Sequence, residues 1–248
     1  AQSESHPLFD DERRRQLCRH LFDGYYYDKQ DHDLIFYTNR LWSARLHQLV
    51  ELFDDFKLIA CVRNPAWGLD SFERIYRRHA FDYSRLYGPG NRQTVYSRCE
   101  TLIQAAGVVG GAWTALKEAF YSEHSERLLI IDYDLLVQHP KRAMDLTHEF
   151  LGLEPFAYDF ENVEYSASEF DNHLGARDLH TVRRKVSYEP RRSILPPDLF
   201  QKYSDMAFWQ DKAGTAASIL ALTPANNQTH DKKATAAAKS PSERKTAL

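Results

Sequence analysis

Short apolar segments alternate with segments of helical pattern along most of the chain. The segments LIFYT (Leu34–Thr38), LIACV (Leu58–Val62) and the beginning of RLLIIDYDLL (Arg127–Leu136) have the length and composition of buried strands. Short apolar strands separated by helices usually form a parallel sheet that helices cover on both faces. We therefore predict one α/β domain over residues 1–211.

Helical patterns fill the intervals between these strands. In the first of them, Leu17, Leu21 and Phe22 are expected to face inward. The fourth is one long helix or two, because glycines at positions 107, 110 and 111 make it weak there. The fifth is entered through a proline and closed by a glycine. The predicted helices span Asp11–Tyr26, Leu41–Phe53, Trp67–Arg78, Arg92–Tyr121 and Pro140–Leu151.

Composition excludes several classes of protein. The net charge of −3 gives no global basic field for nucleic acid, so an anion site has to be local. No apolar run is long enough to span a membrane, and the first residues carry no signal-peptide core. Three widely spaced cysteines, Cys18, Cys61 and Cys99, favour reduced thiols inside a cell. These features predict a cytoplasmic protein, and no His, Cys or Asp spacing suggests a metal site.

The composition changes after Asp211. Residues 212–248 are rich in Ala, Thr, Lys and Ser and contain no aromatic residue. Such a segment buries too little apolar surface to offset the entropy of ordering it. We predict a disordered, low-complexity tail over residues 212–248.

A basic residue follows the second predicted strand. Ligands of parallel α/β sheets bind outside the carboxyl ends of the strands, where Arg63 lies. Ser71 falls in the second turn of the helix that follows, whose first N–H groups attract anions. A guanidinium adds donors that suit phosphate. Two interpretations remain open at this point: an anion site, or an Arg63 that pairs with Asp70 or Glu73.

Several motifs in order resemble the sulfotransferases. Arg63-Asn64-Pro65 with Ser71 resembles the segment that binds the 3′-phosphate of 3′-phosphoadenylyl sulfate (PAPS), a strand followed by Arg, seven residues and Ser. Arg127–Leu153 resembles the family's strand, Tyr-x-x-Leu, Pro and helix ending in Phe-Leu-Gly. Asp178–Val186 and Ile194–Trp209 resemble the C-terminal part of a bacterial branch.

The resemblance implies a fold and a set of roles. The fold would be a P-loop-kinase-like three-layer sandwich, with a parallel sheet flanked by helices. PAPS would be the co-substrate, without a metal, and the acceptor a hydroxyl or amine of a small or carrier-bound molecule. Arg63 and Ser71 would hold the 3′-phosphate. A loop carrying His180 and Arg183 would close over the nucleotide, with Arg183 as a second phosphate ligand.

Two positions depart from the family pattern. The family begins with a strand and a glycine-rich loop that holds the 5′-phosphosulfate, whereas the only glycine here before Gly68 is Gly24. We expect the first strand and its P-loop to be missing, through truncation or because the protein is a pseudoenzyme. Thr38 stands where the better-known enzymes carry a lysine, and Arg40 where they carry a base. Arg40 is the candidate catalytic residue, since it can stabilise a sulfate oxygen, but a guanidinium cannot act as a general base. A plain salt bridge is the other interpretation of Arg40.

Three functions are therefore considered. The first is a bacterial-type sulfotransferase, impaired by the missing loop. The second is a catalytically inactive, sulfotransferase-like binding or scaffold protein. The third is a P-loop kinase relative that acts on nucleotides. No nucleic-acid or membrane partner is expected, and the oligomeric state is left open.

Overall fold

The centre of the fold is a parallel sheet of three strands in the order β1–β2–β3. The computed structural model describes residues 10–29, 31–81, 84–88, 90–182 and 184–222. The strands are β1 (Leu58–Val62), β2 (Leu128–Asp132) and β3 (Ser218–Leu220). β2 is the middle strand and pairs directly with both neighbours. The predicted α/β fold with a parallel sheet is confirmed.

Helices follow the strands as in other α/β folds. Short 3₁₀ helices span Tyr27–Lys29, Trp42–Arg45, Ser125–Arg127 and Phe208–Gln210. The α-helices are α1 (Asp11–Tyr25), α2 (Leu46–Leu52), α3 (Pro65–Arg78), α4 (Val95–Ile103), α5 (Gly110–Phe120), α6 (Tyr133–Gln138), α7 (Pro140–Leu151), α8 (Ser168–Leu174) and α9 (Pro197–Ser204).

The side chains of β2 divide the core into two layers. Successive residues of a strand point to opposite faces of the sheet. Leu128 and Ile130 pack with Phe120 of α5 and with Trp209 in one buried cluster. The intervening residues of β2 are also fully buried, and α7 contacts the same strand. A sheet between two layers of helices results, as predicted.

A second buried cluster fixes helix α3, which follows β1. Leu69 of α3 packs with Leu102 of α4 and Leu199 of α9. Glu73, which is 2% exposed, accepts two hydrogen bonds from Arg98 of α4, at 2.7 and 2.8 Å. This buried, bidentate ion pair and the apolar contacts hold α3 in one orientation. The amino end of α3 is thereby placed at the carboxyl end of β1.

The long helical segment is two helices joined by a tight corner. A Cβ atom on Gly110 would lie 1.9 Å from the carbonyl oxygen of Ile103, and one on Gly107 2.4 Å from that of Leu102. These distances leave no room for a side chain. The break predicted at the glycines is confirmed, with α4 ending at Ile103 and α5 beginning at Gly110.

Three predictions in the first part of the chain are wrong. Leu34–Thr38 is not a strand but irregular, exposed chain. The predicted helix over Leu41–Phe53 begins with a 3₁₀ turn, so that α2 is shorter. In α1, Leu17 and Leu21 are 50% and 73% exposed, and only Phe22 packs inward, against the rings of Trp42 and Phe53. The sequence has the pattern of an amphipathic helix, but no part of the described chain buries Leu17 or Leu21.

The predicted boundary at Asp211 lies too early. Strand β3 runs parallel to β2 with Leu129 opposite Ser218, and Ala217 and Ile219 pack against the core. The backbone N–H of Ala216 also donates to Ser125 Oγ at 3.0 Å. The domain therefore extends at least to the end of β3. Residues 223–248 lie outside the described residues, and the prediction for them stays a prediction.

Within the described part of the chain, no helix combines the length and apolar content needed to cross a bilayer.

Candidate anion-binding site at the end of strand β1

Arg63 lies in the short connection from β1 to α3. Asn64 caps the helix: its Oδ1 accepts from the N–H of Ala66 at 3.0 Å, and its Nδ2 donates to the Ser204 carbonyl at 3.3 Å. Pro65 occupies the first helical position, where a missing N–H costs nothing. The sequence Asn-Pro thus starts the helix immediately after Arg63, and the chain has little freedom there.

The guanidinium of Arg63 is held by two aromatic rings. Its central carbon lies 4.1 Å from the ring centroid of Tyr133 and 5.8 Å from that of Trp67. Tyr133 begins α6 at the end of the neighbouring strand β2, so the site spans two strand ends. The Nε atom of Arg63 is buried and has no hydrogen-bond partner among the described residues. A buried donor without a partner costs free energy unless a ligand supplies the acceptor.

A second guanidinium meets Ser71. Arg191 Nη2 donates to Ser71 Oγ at 2.8 Å, and Ser71 Oγ donates to the carbonyl of Trp67 at 3.0 Å. The guanidinium carbon of Arg191 lies 5.6 Å from the ring of Trp67, which Arg63 also approaches. Arg191 Nε repeats the feature seen at Arg63: it is buried and lacks a partner within the described chain.

Asp70 fastens the segment of Arg191 to α3. This carboxylate is fully buried and accepts from Arg74 Nε at 2.8 Å, Arg191 Nη2 at 2.9 Å and the N–H of Ile194 at 2.7 Å. Ser193 Oγ adds a fourth contact at 3.2 Å. Asp70 therefore positions Arg191 beside Ser71 rather than pairing with Arg63.

The alternative role of Arg63 as the partner of Asp70 or Glu73 is wrong. Asp70 binds Arg74 and Arg191, and Glu73 binds Arg98 and, at 2.7 Å, Arg77. Among the described residues, no ion pair joins Arg63 to either carboxylate. The positive charge of Arg63 is left available for another anion.

Burial and neighbouring charges both act on the guanidinium of Arg191. Burial lowers the pKa of Arg191, the nearby Asp70 opposes this effect, and the charges of Arg63 and Arg74 lower the pKa further. Like charges at short range disfavour the charged form of each group. A bound anion near Arg63 and Arg191 would reduce this repulsion.

Two carboxyl groups flank Tyr133 at the end of β2. Asp132 accepts from the backbone N–H of Asp134 at 2.9 Å. Burial raises the pKa of Asp134, the charge of Asp132 raises it further, and Arg63 opposes both effects. Asp134 therefore senses the charge of Arg63 without forming an ion pair with it.

The other predicted site residues lie apart from this cluster or outside the described residues. His180 Nδ1 is 2.5 Å from Oδ1 of the buried Asp171, whose Oδ2 accepts from the His180 N–H at 2.9 Å. None of the described contacts connects His180 or Arg40 with Arg63, and Arg40 is exposed. Arg183 lies outside the described residues. The roles predicted for these three residues stay predictions.

Sequence reasoning missed Arg191, Trp67 and Tyr133. Arg191 is 120 residues from Ser71, and the Arg191-Arg192 pair after Pro190 resembles any exposed basic stretch. A signal was present at Asp70, because a carboxylate on the inner face of an amphipathic helix requires a cationic partner. The sequence does not indicate which arginine supplies it.

The fold is that of an α/β protein whose candidate anion site lies at the ends of neighbouring parallel strands. A family model described as the sulfotransferase domain matches residues 40–174, more than half of the chain. The chain therefore belongs to the sulfotransferase family, whose domain is P-loop-kinase-like. The matched residues include β1, α3 and β2, and thus Arg63, Ser71 and Tyr133. No curated protein matches the chain well enough to count as a relative.

Proposed function

We propose that this sulfotransferase-family chain binds PAPS and transfers its sulfuryl group to a hydroxyl or amine. The observation that carries the proposal is the pair of buried, unpartnered Nε donors on Arg63 and Arg191, whose guanidinium groups both approach the Trp67 ring, while Arg191 also donates to Ser71. Two forked guanidinium groups and a hydroxyl suit the oxygens of a phosphate monoester. The residues present therefore fit the 3′-phosphate of the nucleotide.

Each residue has a separate task in this proposal. Arg63, fixed by Tyr133 and Trp67, and Arg191, fixed by Asp70, would approach the phosphate with little loss of rotamer freedom. Ser71 would donate its hydroxyl proton to the same group in exchange for its present hydrogen bond to the Trp67 carbonyl. His180 and Arg183 keep their predicted place in a loop that closes over the nucleotide.

In the reaction, a bond forms between the acceptor oxygen or nitrogen and sulfur, and the bond from sulfur to the 5′-phosphate oxygen breaks. The acceptor proton passes to a base that these residues do not identify. Catalysis of this kind depends on positioning and on stabilising charge. Arg40 is the proposed stabiliser of the sulfuryl oxygens, and the acceptor is a small or carrier-bound molecule.

Titration calorimetry with adenosine 3′,5′-bisphosphate tests the nucleotide site. A charge-assisted hydrogen bond contributes about 1.5–3 kcal/mol, so Arg63→Ala should weaken binding roughly ten- to a hundredfold. Arg142→Ala, which removes an exposed arginine of α7, is the matched control and should bind like the unmodified chain. With adenosine 5′-monophosphate, which lacks the 3′-phosphate, the difference between Arg63→Ala and the control should disappear. Equal affinity of all three proteins for the bisphosphate would contradict the proposal.

The second candidate function is a nucleotide-binding protein without transfer activity. One sequence observation favours it: Thr38 stands where the family carries a lysine. Both candidates predict the same binding result. A sulfate-transfer assay separates them, because only the first predicts any turnover above background.

A further inference from the structure

Three side chains from two distant parts of the sequence meet on the surface and share no residue with the candidate anion site. They are His47, the second residue of α2, and Glu123 and His124, which follow α5. One ligand atom from each lies within 4.8 Å of the others. The two imidazole rings are 5.4 Å apart between centroids at an angle of 74°, and His124 Nε2 is 3.7 Å from Glu123 Oε1.

The backbone that carries these side chains is anchored in the core. Leu46, directly before His47, is 2% exposed and shares a buried cluster with Phe120, the last residue of α5. Ser125, directly after His124, is buried and accepts a hydrogen bond from the Ala216 N–H. The approach of the three groups therefore follows from the packing of α2 on α5 and does not depend on mobile chain.

The donor set suits a transition-metal ion. Imidazole nitrogen and carboxylate oxygen bind Zn²⁺ at about 2.0–2.2 Å, and three protein ligands leave a position for water. Around one tetrahedral ion the ligand atoms would be roughly 3.3 Å apart, so side-chain rotation has to close the present spacing by only about 1.5 Å. Two imidazoles disfavour Mg²⁺ and Ca²⁺, which prefer oxygen ligands alone.

We propose that His47, Glu123 and His124 form a surface site for a divalent transition-metal ion of the Zn²⁺ type. Bound there, the ion joins α2 to the connection between α5 and β2. An ion that binds the folded chain and not the unfolded one raises stability by mass action. The site is independent of the nucleotide site and of sulfate transfer.

An ordinary explanation covers the same residues without a metal. Glu123 can pair with a protonated His124, and His47 can make an edge-to-face ring contact with His124. In that case the three groups would not act together on one ligand. The experiment has to distinguish joint binding from a set of unrelated surface contacts.

Calorimetric titration with Zn²⁺ of the metal-free chain is the test, accompanied by thermal melts with and without Zn²⁺. We expect one site whose affinity falls at least about tenfold in His47→Ala and in His124→Ala. The melting temperature should rise with Zn²⁺ in the unmodified chain and much less in these variants. His20→Ala removes an exposed histidine of α1 and should behave like the unmodified chain. Mg²⁺ in place of Zn²⁺ should give no shift.

Two results would overturn the proposal. One is the absence of Zn²⁺ binding to the unmodified chain. The other is binding that His47→Ala and His124→Ala leave unchanged, which would place the ion elsewhere. Because both histidines are at the surface, the variants should fold, and circular dichroism without metal checks this directly.

Discussion

At the scale of single residues, the candidate anion site combines one arginine that is anchored by an ion pair with one that contacts only aromatic rings among the described residues. Arg191 is fixed by Asp70 and Ser71, whereas Arg63 rests on Tyr133 and Trp67 without an ion pair among the described residues. Of the two arginines, Arg63 is therefore expected to gain the larger electrostatic stabilisation from a bound anion. The negative charge of Asp134 acts on Arg63 and repels an anion bound there. Removing this charge should therefore also strengthen anion binding.

Asp134→Asn should make the chain more stable at neutral pH and bind the bisphosphate more tightly. Because burial and Asp132 raise the pKa of Asp134, the folded state holds this proton more firmly than the unfolded state does. The ionised carboxyl thus destabilises the fold above its folded-state pKa. The gain in melting temperature should be full at pH 7, shrink as the pH falls through the folded-state pKa and vanish below the unfolded-state value. Affinity for the bisphosphate should rise about two- to fivefold.

The control for this prediction is Asp55→Asn. Asp55 is exposed and precedes β1, at the end of the strand opposite Arg63. The Asp55→Asn substitution should leave the affinity for the bisphosphate unchanged. A stability gain in Asp134→Asn that stays constant from pH 7 down to pH 4 would contradict this prediction, because the gain would then not depend on the protonation of Asp134.

The sequence could predict those parts of the candidate site that lie close together along the chain, but not those that come from distant segments. The positions of Arg63 and Ser71, directly after β1 and within α3, were predictable because a strand end and a helix start are local features of the sequence. Arg191 was not, since its place beside Ser71 depends on Asp70 and on the path of a distant loop. The same holds for His47 and His124, which only the packing of α2 on α5 brings together.

At the scale of elements, the corner between α4 and α5 depends on glycine. The Cβ of an alanine at position 110 would lie 1.9 Å from the Ile103 carbonyl oxygen and 2.3 Å from that of Gln104. Both obstacles are backbone atoms, so the corner has to open to accept the substitution. Gly110→Ala should therefore lower the free energy of unfolding by at least about 2 kcal/mol.

Gly24→Ala is the matched change in a helix without such contacts. Nothing lies within 4 Å of a Cβ built on Gly24 in α1. Its free energy of unfolding should stay the same or rise by up to about 1 kcal/mol. Urea unfolding measures the free energy of unfolding of both variants. Equal urea midpoints for Gly110→Ala and Gly24→Ala would show that the corner tolerates a side chain.

Sequence patterns predicted an element correctly where the residues at both of its ends carry a signal. The helix α7 carries both a proline at its start and a glycine in the left-handed conformation after its end, and its bounds agree with the prediction. Leu34–Thr38 has the composition of a strand, but a strand also needs a neighbour, and the described chain offers it none. The reverse holds for β3, where three residues in an Ala- and Thr-rich segment form a strand because β2 offers an edge.

At the scale of the whole molecule, the apolar surface is distributed unevenly. Large apolar side chains before β1 remain exposed, among them Leu21 at 73%, Tyr27 at 75% and Phe36 at 68%. Exposed apolar patches of this kind favour association or a covering partner. Thr38 and Arg40, the two positions that depart from the family pattern, lie in the same exposed part of the chain. The anion site, by contrast, is built on the buried sheet and on α3.

This contrast leads to a prediction for turnover. The 248-residue chain should bind the bisphosphate but transfer sulfate from PAPS at a rate barely above background. No glycine-rich loop precedes β1 within these residues, and Thr38 cannot supply the positive charge of a lysine. Losing one well-placed donor typically costs about 10²–10³ in rate, and losing the groups around the 5′-phosphosulfate should cost more.

A radiolabelled-sulfate transfer assay against phenols, alcohols and amines checks this, with bisphosphate binding measured on the same preparations. Thr38→Lys alone should gain little, because the lysine and the loop act on the same developing charge and their effects are not additive. Fusing a strand and glycine-rich loop from a bacterial sulfotransferase before Ala1 should gain much more, and Thr38→Lys should then matter. Robust transfer by the unmodified chain would contradict the prediction. It would mean that other groups already present, Arg40 or Arg183, hold the 5′-phosphosulfate.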